Sequence, residues 1–318
     1  MADKPSRALV LYGDGLARAV NASHTHLHSL ASRAFCGFLS LPHSPPSEIE
    51  DERIVREFAE LLDAHEASLN MSGEETDEGE CQKKLPTQKI SERFMGMRAA
   101  IITNNLHLKS FGGKLGYTIL QLGELKDNIC LTEQPLDIMA SELLKCLGFL
   151  EGKALETNQF DLVIVHFGES TNNEKDTTNT NGVECINGLV GEIMQLARPG
   201  SEIGSRLHLS VVMSYRDVLK EDEYYFSVLA DKSGKDPDLS LLFPRQSYTL
   251  KAGNLRTNTR HYCPMLIAQW QDAVTRMDEA KTFSFKEFKE KGGILTIPAD
   301  RFLHEVAFKL WKAPKYGA

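Results

Sequence analysis

Hydrophobic residues along the chain fall into two patterns: short unbroken apolar runs, and longer stretches in which they recur every three or four positions. The first run, ALVLY at 8–12, has strand composition and stops at Gly13-Asp14-Gly15, a turn signal. From Ser23 onward Leu27, Leu30, Ala31 and Ala34 fall at helical spacing, and CGFLSL at 36–41 returns to strand character. Pro45-Pro46 then breaks the chain. Ser47 and Glu50 make an S-x-x-E capping box before Ile54, Val55, Phe58, Leu61 and Leu62, so a helix is expected to start near Ser47. The acidic stretch 72–84 lacks apolar periodicity and is expected to be a mobile surface loop.

Strand, helix and strand follow over 93–125, with Gly112-Gly113 bending or ending the helix. A helix over 135–153 leads to FDLVIVHFGE at 160–169, the clearest buried strand, of the kind covered by helices on both faces. A polar loop at 170–182, a helix at 183–197 and a strand at 206–215 complete another β-α-β unit. A strand near 264–270 precedes a final helix at 300–313, whose packed face carries Phe302, Leu303, Val306, Ala307, Leu310 and Trp311. Such alternation predicts an α/β fold with a mostly parallel sheet flanked by helices.

Composition narrows the function classes. The 318 residues can bury a sizeable core, and a net charge of −8 argues against nucleic acid or anionic membrane as the general partner, because phosphate backbones call for clustered Lys and Arg. The polar start has no apolar leader and no run is long enough to span a bilayer, so a soluble cytoplasmic protein is expected, its oligomeric state open. Six cysteines lie scattered without a C-x-x-C pair, which fits reduced thiols.

Ligands of open α/β sheets sit beyond the carboxyl ends of the strands. Four such ends offer chemistry: Asp14, the 166–170 segment HFGES, the 214–217 segment SYRD, and His261. Asp14 can be a metal ligand or a turn and cap residue. His24, His26 and His28 invite a zinc reading, but on a helix His24 and His28 share one face while His26 points elsewhere. Ser47 can be a helix cap or, beside the positive end of a helix dipole, a nucleophile towards a phosphoryl group.

The order of these pieces, from about Ala8 to Gln271, resembles the cofactor-independent phosphoglycerate mutases of the archaeal-type branch, within the alkaline phosphatase superfamily. LVLYGDGLA is similar to that family's opening strand with its metal-ligating Asp-Gly, HTHLHSLASRAFCGFLSL to its TPNLDxLAxxGxxG segment, and SPPSE to the segment of the nucleophilic serine. FDLVIVHFGE with VECINGLVGEIM resembles DxVxVHxKxxDxxGH with IExIDxxIG, and RHYCPMLIA resembles HxxxPVPxLI. The resemblance implies an alkaline-phosphatase-like core from 1–70 and 155–318, a mobile acidic loop at 71–88, and a smaller inserted α/β subdomain at 89–154. It also implies Ser47 as the nucleophile and Asp14 and His261 as metal ligands; a one-metal site built from Asp14, Asp217, His261 and Glu169 is conceivable but is not what the family pattern predicts.

In an active enzyme Arg245, Arg256 or Arg260 would bind substrate carboxylate or phosphate, whereas the same stretch also reads as a solvated loop. A complete family site holds two metal ions on roughly seven Asp, His and Ser positions, which stabilise attacking and leaving oxygens. Here the Asp-x-x-x-His pair after the central strand is missing, and Ser214-Tyr215-Arg216-Asp217 stands in place of Asp-His. The expectation is a mutase-like protein with an incomplete site, catalytically reduced or altered, which binds a phosphorylated small molecule or a protein partner. The alternative is an active phosphomutase or phosphatase using Mn2+, Mg2+ or Zn2+ and a phosphoserine at Ser47.

Overall fold

The computed structural model describes residues 6–45, 47–72, 88–120, 135–168, 178–216, 218–229, 250–251 and 254–314. The acidic loop expected at 71–88 falls almost wholly outside them. The described strands are β1 (Arg7–Gly13), β2 (Phe35–Ser40), β3 (Ala99–Ile102), β4 (Thr118–Leu120), β5 (Phe149–Leu150), β6 (Lys153–Ala154), β7 (Leu162–Phe167), β8 (Leu207–Met213), β9 (Leu250–Lys251), β10 (Asn254–Leu255), β11 (Met265–Trp270) and β12 (Leu295–Pro298). Between them run α1 (Thr25–Arg33), α2 (Glu50–Leu61), α3 (His65–Ser72), α4 (Ile90–Arg93), α5 (Leu106–Lys114), α6 (Leu136–Cys146), α7 (Thr178–Leu196), α8 (Glu202–Arg206), α9 (Asp222–Tyr225), α10 (Phe285–Lys291) and α11 (Phe302–Lys309).

Eight strands form one sheet in the order β12-β2-β11-β8-β1-β7-β3-β4. All its pairings are parallel except those of β11, which runs antiparallel to both β2 and β8. The expected α/β architecture is therefore present. Side chains alternate along β1, so that Leu9 and Leu11 enter one apolar layer while Ala8, Val10 and Tyr12 enter the other. Helices α1, α6 and α7 cover the first layer, and α2, α5 and α11 cover the second.

Local differences from the sequence reading have physical causes. The region 89–154, expected as an inserted subdomain, places β3 and β4 at the edge of the core sheet, with Ala99 opposite Leu162 and Ile101 opposite Ile164. These two strands extend the main layer, while β5 and β6 pair with each other in a separate hairpin. Helix α5 runs through Gly112-Gly113 and ends one residue later at Lys114; a Cβ on Gly112 would stand 2.7 Å from Ile101 Cδ1 and 2.9 Å from Ile119 Cδ1. That glycine lets the helix lie close on the sheet. Helix α7 starts at Thr178, inside the segment read as loop, and α11 ends at Lys309, leaving Trp311 exposed.

Helix α2 begins at Glu50, with Ile49 as its cap residue; the Ile49 amide donates to Glu52 Oε2 at 3.3 Å. The box partner is thus Glu52, and Ser47 lies exposed in the preceding turn.

Candidate functional site

β1 lies between β7 and β8 in parallel register, with Gly13 opposite both Phe167 and Met213. The three strands end level, so Asp14, Gly168 and Ser214 leave the sheet at one edge. The Asp14 amide donates to Phe167 O at 2.7 Å and the Ser214 amide to Gly13 O at 3.0 Å. β11 runs the other way, which brings the segment before it, 257–263, to this same edge.

At this edge Asp14 meets a guanidinium. Arg53 Nη1 donates to Asp14 Oδ1 and Nη2 to Oδ2, both at 3.0 Å, a bidentate pair with Asp14 5 % and Arg53 7 % exposed. Oδ1 also accepts from the Ser214 hydroxyl at 3.1 Å and the Tyr12 hydroxyl at 3.3 Å. Arg53 in turn binds Glu50 through Nε at 2.9 Å and Nη2 at 3.0 Å, and Glu57 through Nη1 at 3.0 Å. Burial works against the Arg53 charge, but Glu50, Asp14 and Glu57 outweigh it and keep the group protonated.

Glu57 is 1 % exposed, and burial pushes its carboxyl above the ordinary range while Arg53 and Arg260 pull it back. Arg260 Nη2 lies 3.4 Å from Glu57 Oε1 and 3.2 Å from Cys263 O. Arg216 Nε approaches Glu50 Oε1 at 3.1 Å. The result is a network of alternating charge, buried at Asp14, Arg53, Glu57 and Arg260 and partly exposed at Glu50 and Arg216, with each carboxylate satisfied by an arginine.

His166, at the end of β7, stands beside it. Its Nδ1 is 3.0 Å from Thr103 Oγ1, and its buried Nε2 has no hydrogen-bond partner among the described residues. Burial lowers its pKa to about 4; Asp14 raises it and Arg53 lowers it by smaller amounts. The ring is therefore neutral at physiological pH.

These residues do not fit a divalent metal. Both Asp14 oxygens are engaged by a group that already carries a positive charge, and a second cation there would be repelled. Among the described residues, no group of three or more His, Cys, Asp or Glu is placed to hold a metal ion. His261, expected as the last ligand, has its Nε2 3.3 Å from Glu223 Oε1 and its ring edge-on to Tyr262. From that segment it is Arg260 that reaches the network, through Glu57, a partner of Arg53. Glu169, Asp217 and Arg245 lie outside the described residues.

The remaining expected residues belong elsewhere. Ser47 lines a cleft of about 750 Å³ beside the neighbouring face of α2. Arg256 lines it too, but its two terminal nitrogens grip Asp300 at 2.9 Å each. Neither Arg256 nor Arg260 is free to receive a phosphate. His24, His26 and His28 do not converge: His24 Nδ1 accepts from the Asn21 amide, His26 packs on Gly191, and His28 Nδ1 accepts from the Phe283 amide.

Sequence reasoning missed Arg53 and Glu57. The charge-rich EDERIVREFAE resembles a solvated face, yet Arg53, Arg56, Glu57 and Glu60 are all buried. The usable signal was opposite charge at i, i+4 in Arg53–Glu57 and Arg56–Glu60, set directly beside Ile54, Phe58 and Leu61.

No protein-family model and no curated protein sequence matches the chain. Its fold is similar to that of the PH0037 protein from Pyrococcus horikoshii, with a TM-score of 0.56, 12% identity and 99% of each chain covered. It is also similar to the lipoteichoic acid synthase LtaP from Listeria monocytogenes, with a TM-score of 0.50, 9% identity, and 99% of this chain and 74% of that one covered. The cofactor-independent phosphoglycerate mutase from Thermoplasma acidophilum overlaps more loosely, with a TM-score of 0.47, 10% identity, and 96% of this chain and 99% of that one covered. At such identities the likeness is one of fold, and function has to be argued from the site.

Proposed function

We propose that this chain is a phosphoglycerate-mutase-like derivative of the alkaline-phosphatase fold, of the archaeal-type branch, in which metal-assisted phosphoryl transfer has given way to binding. The observation that carries the reading is the bidentate Asp14–Arg53 pair, which puts a tethered organic cation where the resemblance implies a metal ion. A two-metal reaction needs cations that can contact the attacking and leaving oxygens. The Arg53 guanidinium is held by three carboxylates and cannot serve that role.

The position of Ser47 supports the same reading, since it opens on the cleft and not on the Asp14 cluster. Four described cysteines are free thiols, in keeping with a reducing cytoplasm. Among the described residues no helix is long and apolar enough to cross a membrane.

The test is a turnover panel on protein purified without chelator, with Mn2+, Mg2+ and Zn2+ added. We expect neither interconversion of 2- and 3-phosphoglycerate nor phosphatase turnover. Metal-dependent turnover that disappears in Asp14→Asn would overturn the proposal.

A further inference from the structure

Helix α2 has two working stripes. Glu50, Arg53 and Glu57 face the Asp14 cluster, and the adjoining stripe of Glu52, Arg56 and Glu60 lines the cleft of about 750 Å³. That volume lies within the range of small-molecule sites. The cleft lies between α2 with α3 on one side and the β9–β10 hairpin with residues 256–259 on the other. Leu41, Val55, Pro298 and Ala299 give it apolar walls. Ile49, 60 % exposed, and Leu255, 67 % exposed, are large apolar side chains left at its surface.

Its charges decide what could enter. The lining holds three permanent cations, Arg56, Lys251 and Arg256, against five carboxylates, Glu48, Asp51, Glu52, Glu60 and Asp300. Each cation is already paired: Arg56 with Glu48, Arg256 with Asp300, and Lys251 with Asp300 at 2.8 Å. The guanidinium atoms that lack a partner, Arg56 Nη1 and Arg256 Nε, are buried and offer no open contact. Among the described lining residues an entering phosphate would find every Arg and Lys already paired and the carboxylates in excess of them.

The carboxylates are less committed. Among the described residues Asp51 faces the His107 imidazole alone, at 3.5 Å, and Glu52 accepts the Ile49 amide at 3.3 Å.

We propose that this cleft binds a small organic cation, an amine or guanidine carried on an apolar body. The proposal rests on the reading of the protein as a binder and supplies the chemistry of its ligand. The apolar walls take the body by area burial, and the free carboxylate capacity of Asp51 and Glu52 takes the charged end through charge-assisted hydrogen bonds.

Isothermal titration with matched probes tests it: 4-phenylbutylamine, 4-phenylbutyrate and phenyl phosphate. The amine should bind about tenfold more tightly than either anion, or better, a difference of about 1.4 kcal/mol. Its affinity should fall as NaCl is raised and drop severalfold in the Asp51→Asn, Glu52→Gln double variant, whose glutamine still accepts the Ile49 amide. The proposal is overturned if an anion binds as tightly as the amine, if no probe binds at millimolar concentration, or if the double variant binds the amine unchanged. None of these readings involves metal or turnover. Metal-dependent activity would count against the proposed function alone, and anion preference against the ligand class alone.

Discussion

Asp14 and Arg53, 39 positions apart, form a two-bonded ion pair at the carboxyl edge of the central strand, each bond 3.0 Å long. The pair joins the carboxyl end of β1 to the first turns of the helix over it, and several consequences can be measured.

Arg53→Ala should be strongly destabilising. It leaves Asp14 and Glu57 buried with reduced compensation, and breaking one side of such a pair costs about 3–5 kcal/mol. Urea unfolding will show the loss. The same variant frees Asp14, Glu50 and Glu57, so millimolar Mn2+ should raise its melting temperature by more than that of the unaltered protein. Equal shifts would mean that Arg53 is not standing in for a cation.

Stability should fall as pH drops from about 6.5 to about 4 because of His166. Its folded pKa, near 4, lies below the ordinary value of 6.5, so in this window the unfolded chain takes up a proton that the native ring refuses. The contribution is complete above the unfolded pKa and is lost on acidification, to the extent of ~3 kcal/mol. His208, buried and likewise shifted down, adds in the same direction. In His166→Gln the decline should be shallower; an unchanged slope in urea denaturation across this range would contradict the assignment.

The cap of α2 gives a third contrast. Ser47→Ala should change stability by less than about 0.5 kcal/mol, since the residue is exposed and outside the helix. Glu52→Ala, which removes the acceptor of the Ile49 amide, should cost about 0.5–1 kcal/mol. The reverse ranking would restore Ser47 as the cap.

Gly112→Ala should destabilise despite the better helix propensity of alanine, worth about 1 kcal/mol. The new Cβ would press on Ile101 and Ile119 at distances under 3.0 Å, and overpacking of this sort costs about 1–3 kcal/mol. A more stable variant would show that the helix can lift from the sheet freely.

Much of the fold was legible because apolar runs such as 8–12 and 162–167 belong to strands covered on both sides, where composition and burial agree. The direction of β11 and the joining of β3 to β7 were not legible, because strand pairing is decided by contacts far apart in sequence. Asp14 was legible by its position after β1. Its partner was not, because a buried arginine on an amphipathic helix has the same local spacing as a solvated one, and only the tertiary fold shows which way it turns. The pairing of His261 with Glu223 likewise depends on α9, which carried no signal of its own.

The most direct test is calorimetric titration of Mn2+ into the metal-free, unaltered protein. With both Asp14 oxygens held by the Arg53 guanidinium, no one-to-one binding that depends on Asp14 should be seen. A stoichiometric Mn2+ site present in the unaltered protein and abolished by Asp14→Asn would contradict the account.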